Sequence, residues 1–337
     1  MLYYILRRSI AMPFILLGIV TMAFLLTAVT KGDPLTAVVS EQQMNNPEIV
    51  AAAKKRWGLD RSLPERYVIY VGNLLRGDMG TSFVTRRPVS TDLMARLPAT
   101  FELVICAMVV GSVIGIVFGL LAAYYHDTAI DQAARLFALF GSSVPIFWLG
   151  LAALFFFSVH YQILPGPGRI DPRMAQPPTV TGFMTIDSLL AGDLKAFKDA
   201  LAHLVLPSLA LGWTVAGTIS RLVRAYMLEV MEREFILTAR AKGASEMRVV
   251  LRHAFRNILV PILTVISYSF AYLITGAILT ETVFAWPGVG SYAVTAARSL
   301  DFPAIIGVTI VGGVMFLLTN LLTDIAYVMA NPRVRLN

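Results

Sequence analysis

The fold class predicted for this chain is all-α: a polytopic membrane protein with six transmembrane helices. Of its 337 residues, 57% are hydrophobic and 15% charged, whereas a soluble domain carries roughly 25% charged residues. Mean hydropathy is +0.70. The apolar residues also gather into six runs of the length that crosses a bilayer: Ser9–Thr30, Ala99–Tyr125, Ala134–Tyr161, Leu204–Met227, Ile258–Thr282 and Ala304–Ala330. The one cysteine, Cys106, lies inside such a run, so neither a disulfide framework nor a metal–thiolate site is expected.

The first run follows Arg7 and Arg8, as a signal peptide would. It is longer than a signal's apolar core, and no clear small-residue cleavage site comes before Lys31. Residues 1–30 therefore read as a retained N-terminal helix and 31–98 as an external loop. Residues 99–330 hold the other five helices, with a cytoplasmic loop at 228–257, and 331–337 form a cytoplasmic tail. The net charge of +7 needs no nucleic acid to explain it, because membrane proteins keep cations on the inner side. With both termini inside, the inner segments hold 13 of the 28 Lys and Arg residues and the outer segments 15, ten of them in 31–98. That loop is long enough to translocate whatever its charge. Setting it aside leaves 13 inside against 5 outside.

In the second run Gly111, Gly115 and Gly119 recur every fourth residue, a small-xxx-small face for close helix contact within the subunit or with a second one. In the third, Pro145 removes a backbone donor and predicts a kinked span, either a hinge or static packing. In the fifth, Tyr268, Tyr272 and Thr275 share one helical face. Two readings stay open there: interhelical packing, in which buried phenols find partners, or a stripe lining a path.

Glu102, Arg135, Glu281 and Asp324 fall within a few turns of span ends, where side chains reach the interface. No midplane acid offers a proton relay, which disfavours an ion-driven secondary transporter. His126, His160, His203 and His253 lie at span ends or in loops without metal-ligand spacing, so no metal site is expected. No nucleophile elbow or phosphate-cradling loop occurs. A membrane hydrolase would have to use Ser142, Ser143, Ser267 or Ser269 with no base in reach, so no catalytic residue is assigned. An accessory membrane protein remains an alternative.

The segment Tyr226–Asn257 interrupts all this lipid-seeking sequence with polar, basic residues. Glu229–Ala241 reads as a helix, with Glu232 and Glu234 early and Arg240 and Lys242 late to suit its dipole. Gly243 suits the left-handed position that ends a helix. Ser245 is a candidate N-cap for a second helix, with Glu246 in its first turn. There Met247, Val250, Leu251, Ala254 and Ile258 form an apolar face, and Arg248, Arg252 and Arg256 a basic stripe. Such a unit docks a protein, lies on anionic lipid or is only a solvated face.

The block TARAKGASEMRVVLRHAFRNILVP, Thr238–Pro261, resembles the loop by which importer permeases of the ATP-binding-cassette (ABC) type grip their ATPase. The general form of that loop is E-A-A-x-x-x-G followed by I-x-L-P. Gly243 matches its glycine and Thr238-Ala239 its A-A, while Leu237 replaces the glutamate. His253, Phe255 and Arg256 stand where I-x-L-P would be, with a proline only at Pro261. T-A-R-A-K-G with R-H-A-x-R-N-x-L-x-P is similar to the peptide and nickel branch. Five further segments resemble that branch in order: Arg76–Ser82, Arg96–Leu103, Ser143–Gly150, Leu164–Arg169, and Glu281–Gly290 followed by Asp301–Pro303.

The resemblance implies the type I ABC importer transmembrane-domain fold and the B-type of two paired permeases in a bacterial inner membrane. It implies an ATPase-coupling loop of Glu234, Thr238, Ala239, Arg240, Ala241, Lys242, Gly243, Arg252 and Arg256. It also implies a second homologous permease, two cytoplasmic ATPases that bind ATP and Mg, and an external substrate-binding protein. This chain itself would bind no cofactor. Di- or oligopeptides are the expected substrates, with nickel or another small solute as the alternative.

Overall fold

The computed structural model describes residues 2–29, 46–56 and 60–330. The expected tail 331–337, and much of the first half of the expected 31–98 loop, lie outside them. The described residues are helical almost throughout: α1 Leu2–Val29, α2 Pro47–Arg56, α3 Leu63–Leu74, α4 Val89–Tyr124, α5 Ala129–Ser143, α6 Ile146–Ala153, α7 Met184–Leu190, α8 Leu194–Met231, α9 Glu234–Ala241, α10 Glu246–Arg248, α11 Phe255–Val283, α12 Val289–Arg298 and α13 Phe302–Ala330. Among them, five helical stretches are long and apolar enough to cross a membrane: Ile10–Thr27, Val89–Tyr124, Leu194–Met231, Glu246–Ile274 and Phe302–Ile325. A sixth is added if one broken pair counts as a span.

That broken pair corrects the expectation of a kinked third helix. α5 and α6, the latter prolonged by π-helical turns over Leu154–His160, meet at 107°. Pro145 has no N–H to donate, and its ring pushes the preceding residue out of the helical region. Val144 accordingly sits extended (φ −82°, ψ 128°). Two other elements outrun their predicted bounds. α4 starts at Val89, passing through Pro98, and α8 starts at Leu194, passing through Pro207.

The chain divides into two compact units, residues 1–100 with 287–317 and residues 101–286 with 318–337. In the first, Val20, Ala23 and Phe24 of α1 pack with Ile306 and Ile310 of α13, and Phe24 stacks edge-on against Tyr67 of α3 at 5.4 Å. A second cluster joins Val89 and Leu93 to Val289, Tyr292, Ala296 and Ala304.

The second unit is organised on α8. A Cβ added to Gly111 of α4 would stand 2.5 Å from the carbonyl oxygen of Gly212, and one on Gly212 would stand 2.5 Å from that of Ala107. Gly115 and Gly119 meet Ala216, Ile219, Ser220 and Val223 of α8 as closely. On another side of α8, a Cβ on Gly217 would lie 2.8 Å from the carbonyl oxygen of Ala138 in α5. Only hydrogen at these positions lets the backbones come so near.

Buried charges fix the ends of the unit. Asp131 of α5, fully buried, accepts both arms of the Arg224 guanidinium at 2.7 Å, with Arg135 3.5 Å away. At the other end of the helices, Glu102 forms an ion pair with Arg169 and accepts from Thr185 N (2.8 Å) and Oγ1 (2.7 Å). The Arg169 guanidinium lies 5.5 Å from the ring centre of the fully buried Trp286. Thus Glu102, Arg169 and Trp286, from three separate sequence segments, meet in one cluster. Nearby, Asp187 closes the turn before α7. Its burial favours the neutral acid, but N–H donors of Thr181, Gly182 and Val180 and the Thr181 hydroxyl outweigh this and hold its carboxyl below the usual range.

Gly212→Ala should force α4 and α8 apart at a backbone contact that cannot yield. Overpacking of this kind costs about 1–3 kcal/mol. Gly18→Ala in α1, where an added Cβ meets nothing within 4 Å, is the control. Thermal unfolding of the purified protein should show a lowered midpoint for the first variant alone. Equal midpoints would refute the close-contact account.

Candidate functional site

The polar segment between α8 and α11 folds into a corner of two short helices, whose ends can be derived residue by residue. The expected helix Glu229–Ala241 is interrupted: α8 stops at Met231, Arg233 turns extended (φ −74°, ψ 146°), and α9 begins at Glu234. The break carries no glycine or proline. It is held by Arg233 N donating to Val230 O (3.1 Å) and by an ion pair from Arg233 back to Glu229 at 2.5 Å. Glu234 in the first turn of α9 and Arg240 in its last suit the dipole.

α9 ends in a Schellman motif. Gly243 is left-handed at φ +80°, its N–H donates to Arg240 O (2.9 Å), and Ala244 N donates to Ala239 O (3.2 Å). Ser245 then sits extended (φ −64°, ψ 149°) at the N-cap of α10, although its hydroxyl makes no capping bond. Across the corner the Arg240 guanidinium grips the Glu246 carboxylate with both arms, at 2.8 and 3.1 Å. An exposed pair of this sort contributes only about 0–1 kcal/mol. Its planar two-point geometry nevertheless fixes the angle between the helices.

Beyond α10 the chain winds as a π-helix over Val249–Ala254 before α11. The wider turn revises the predicted apolar face. Val249, Val250, Ala254 and Ile258 are buried, whereas Met247 and Leu251 are exposed by 58% and 50%. Ile236 and Ala239 of α9 are also buried, and α9 contacts the π-helical segment, so the corner has its own apolar underside.

Of the candidate coupling residues, Ala239 faces inward and Thr238 turns its hydroxyl to Glu234 O. Glu234, Arg240, Ala241, Lys242, Gly243, Arg252 and Arg256 are all exposed. Among them stand Phe235, Leu237, Met247 and Leu251, apolar side chains left open to the surroundings. A merely solvated charged face would not carry four large apolar side chains. Apolar anchors among cations suit a partner surface.

On α11, which continues from the corner, Tyr268 and Tyr272 expose 56% and 63% of their surface. The Thr275 side chain lies outside the described ones. Sequence reading missed two features here. The Asp131–Arg224 pair joins residues 93 apart and has no local signal. The second is a group of possible ligand atoms, on His126, Asp127 and Asp131, within 4.8 Å of one another. Arg224 already occupies both oxygens of Asp131, so a guanidinium sits where a cation would bind.

Residues 115–336 match the family described as "Binding-protein-dependent transport system inner membrane component", and residues 1–104 match its N-terminal companion. The chain is 38% identical over 335 residues to the di/tripeptide transport system permease protein DppB of Pseudomonas aeruginosa (strain UCBPP-PA14), covering 99% of each. It is 38% identical over 337 residues to the dipeptide transport system permease protein DppB of Escherichia coli (strain K12), again covering 99% of each. Among solved structures, one of the MetNI methionine ABC transporter in an inward-facing conformation aligns with a TM-score of 0.50 at 17% identity, covering 71% of this chain and 96% of that one. That likeness extends to the fold.

Proposed function

The chain belongs to the family of binding-protein-dependent transport system inner membrane components, and we propose that it forms half of the path by which an ATP-driven importer takes up di- or oligopeptides. Identity of 38% along essentially the whole of two peptide permeases carries the substrate class. In this reading six helices span the inner membrane, the broken pair α5–α6 being the third. A second homologous permease completes the path. Two ATPases bind ATP and Mg on the cytoplasmic side, and an external binding protein delivers substrate. The subunit itself catalyses no covalent chemistry. Its buried carboxylates Asp131 and Glu102 are each held by an arginine, an arrangement that suits fixed structure and not a proton relay.

The corner at 232–257 is the coupling element. Closure of the ATPases pushes on it, and α8 and α11, which flank it and pack together, tilt as rigid bodies to open the path alternately to either side. This requires residues 229–257 and both termini to be cytoplasmic and 166–202 external. In a Cys106→Ala background, an impermeant maleimide added to intact cells should label Val180→Cys and spare Ser245→Cys. The reverse pattern would sink both the orientation and the coupling role.

Gly243 offers a sharper test. A Cβ there meets nothing within 4 Å, so a substitution acts only through the backbone, at φ +80°. Left-handed geometry costs an ordinary residue roughly 1–2 kcal/mol, and a β-branched one more. Gly243→Val should assemble with its partners yet lose most uptake and most binding-protein-stimulated ATP hydrolysis. Lys242→Glu should weaken ATPase association without breaking the Arg240–Glu246 pair. Wild-type uptake in Gly243→Val would exclude this corner as the coupling element.

Tyr268, Tyr272 and Thr275 form the path-lining stripe in the same reading, since both phenols are exposed on this subunit. Tyr268→Phe with Tyr272→Phe keeps volume and removes only hydroxyls. A path-lining role gives altered uptake with normal assembly, whereas packing gives reduced complex stability. Unchanged uptake in an assembled double mutant would eliminate the stripe.

A further inference from the structure

Between α3 and α4 the chain folds into a hairpin more firmly held than a connection needs. Thr81 and Pro88 form an antiparallel bridge, Ser82 N donates to Arg87 O (3.0 Å), and Val89 N donates to Gly80 O (3.0 Å). The fully buried Ser82 donates its hydroxyl to the buried Asp301, whose carboxylate also accepts from Val84 N at 3.2 Å. Thr85 N donates to Ser82 Oγ (3.0 Å), and Phe83 is buried.

What this scaffold presents is Arg86. It is exposed, its backbone lies in the left-handed region at φ +56°, and among the described residues its guanidinium has no partner. Glycine adopts that backbone freely and an L side chain only at a cost. Strain held by a fixed surround points to use of the side chain. Arg87 beside it is 59% exposed, with Nε 3.4 Å from Asp92.

From this geometry we infer that the Ser82–Arg87 hairpin is a docking point for an acidic face of the external binding protein, with Arg86 as its contact. The inference rests on the orientation proposed above, which puts residues 31–98 outside. That segment carries ten cations against seven acids, a net charge of +3, which favours the approach of a negatively charged partner. A guanidinium forks onto a carboxylate at two points, and a pre-ordered tip loses little freedom on binding.

The test uses the complete importer in nanodiscs of zwitterionic lipid, titrated with its binding protein while ATP hydrolysis is followed. Co-purification of the subunits checks assembly. Arg86→Glu should raise the half-saturating concentration of binding protein about tenfold at low salt, the difference shrinking as salt rises. Arg86→Gly relaxes the turn yet removes the contact, and should raise it roughly threefold. A turn with no other role would be unharmed or improved by glycine. Half-saturation unchanged in both variants overturns the proposal while leaving the importer reading intact. An effect seen only with anionic lipid assigns Arg86 to headgroups and also overturns it. A wild-type complex that the binding protein does not stimulate removes the importer reading itself.

Discussion

Lipid tails are as apolar as leucine, so spanning helices gain little from hiding side chains against one another and must associate through close packing instead. In the larger compact unit that constraint falls on α8. Gly212 admits α4 on one side, and Gly217 admits α5 on another, each at a distance where a single extra carbon would collide with a carbonyl oxygen. Two thirds of the most apolar window of α8 is buried. The same helix enters the polar corner at Met231 without an intervening loop, so a displacement of the corner is a displacement of the helix on which α4 and α5 rest.

Close packing alone would let smooth helices slide, and the buried ion pairs resist this. Asp131–Arg224 ties the start of α5 to the last turns of α8, and Glu102–Arg169 with Trp286 ties α4 to the segment after α6 and to the exit of α11. Buried pairs add little net stability, but loss of one partner strands a charge, at about 3–5 kcal/mol. Their role is therefore one of registry: each arrangement of the helices must either keep both pairs or bear that cost. Rigid-body motion of the unit satisfies this, and shear between α5 and α8 does not.

Much of this was legible in the sequence because the residues involved have few alternatives. Gly243 after a helix-forming run predicts a left-handed stop, and a Schellman motif stands there. Glycines at every fourth position in α4 predict a close neighbour, but nothing local identifies Gly212 and Gly217 as parts of it. Pro145 signals a disturbance, whereas the size of the bend depends on what α5 and α6 each pack against. The break before α9 has no proline or glycine to announce it; Arg233 there folds back on Glu229. The π-helical turns at Val249–Ala254 shift the apolar register, so a 3.6-residue period assigns Met247 and Leu251 to the inside when both are exposed.

That misassignment bears on what the corner is for. A coupling element must be stiff along the direction of the push and adhesive on the face that is pushed. A single amphipathic helix lying on a membrane offers one apolar face, already occupied. Here the π-turns split the apolar residues into two sets. Val249, Val250 and Ala254 are buried together with Ile236 and Ala239, which stiffens the corner from beneath. Met247 and Leu251 join Phe235 and Leu237 among the exposed cations above. The irregular winding thus supplies both surfaces from one short segment, and the Arg240–Glu246 clamp keeps the angle between them.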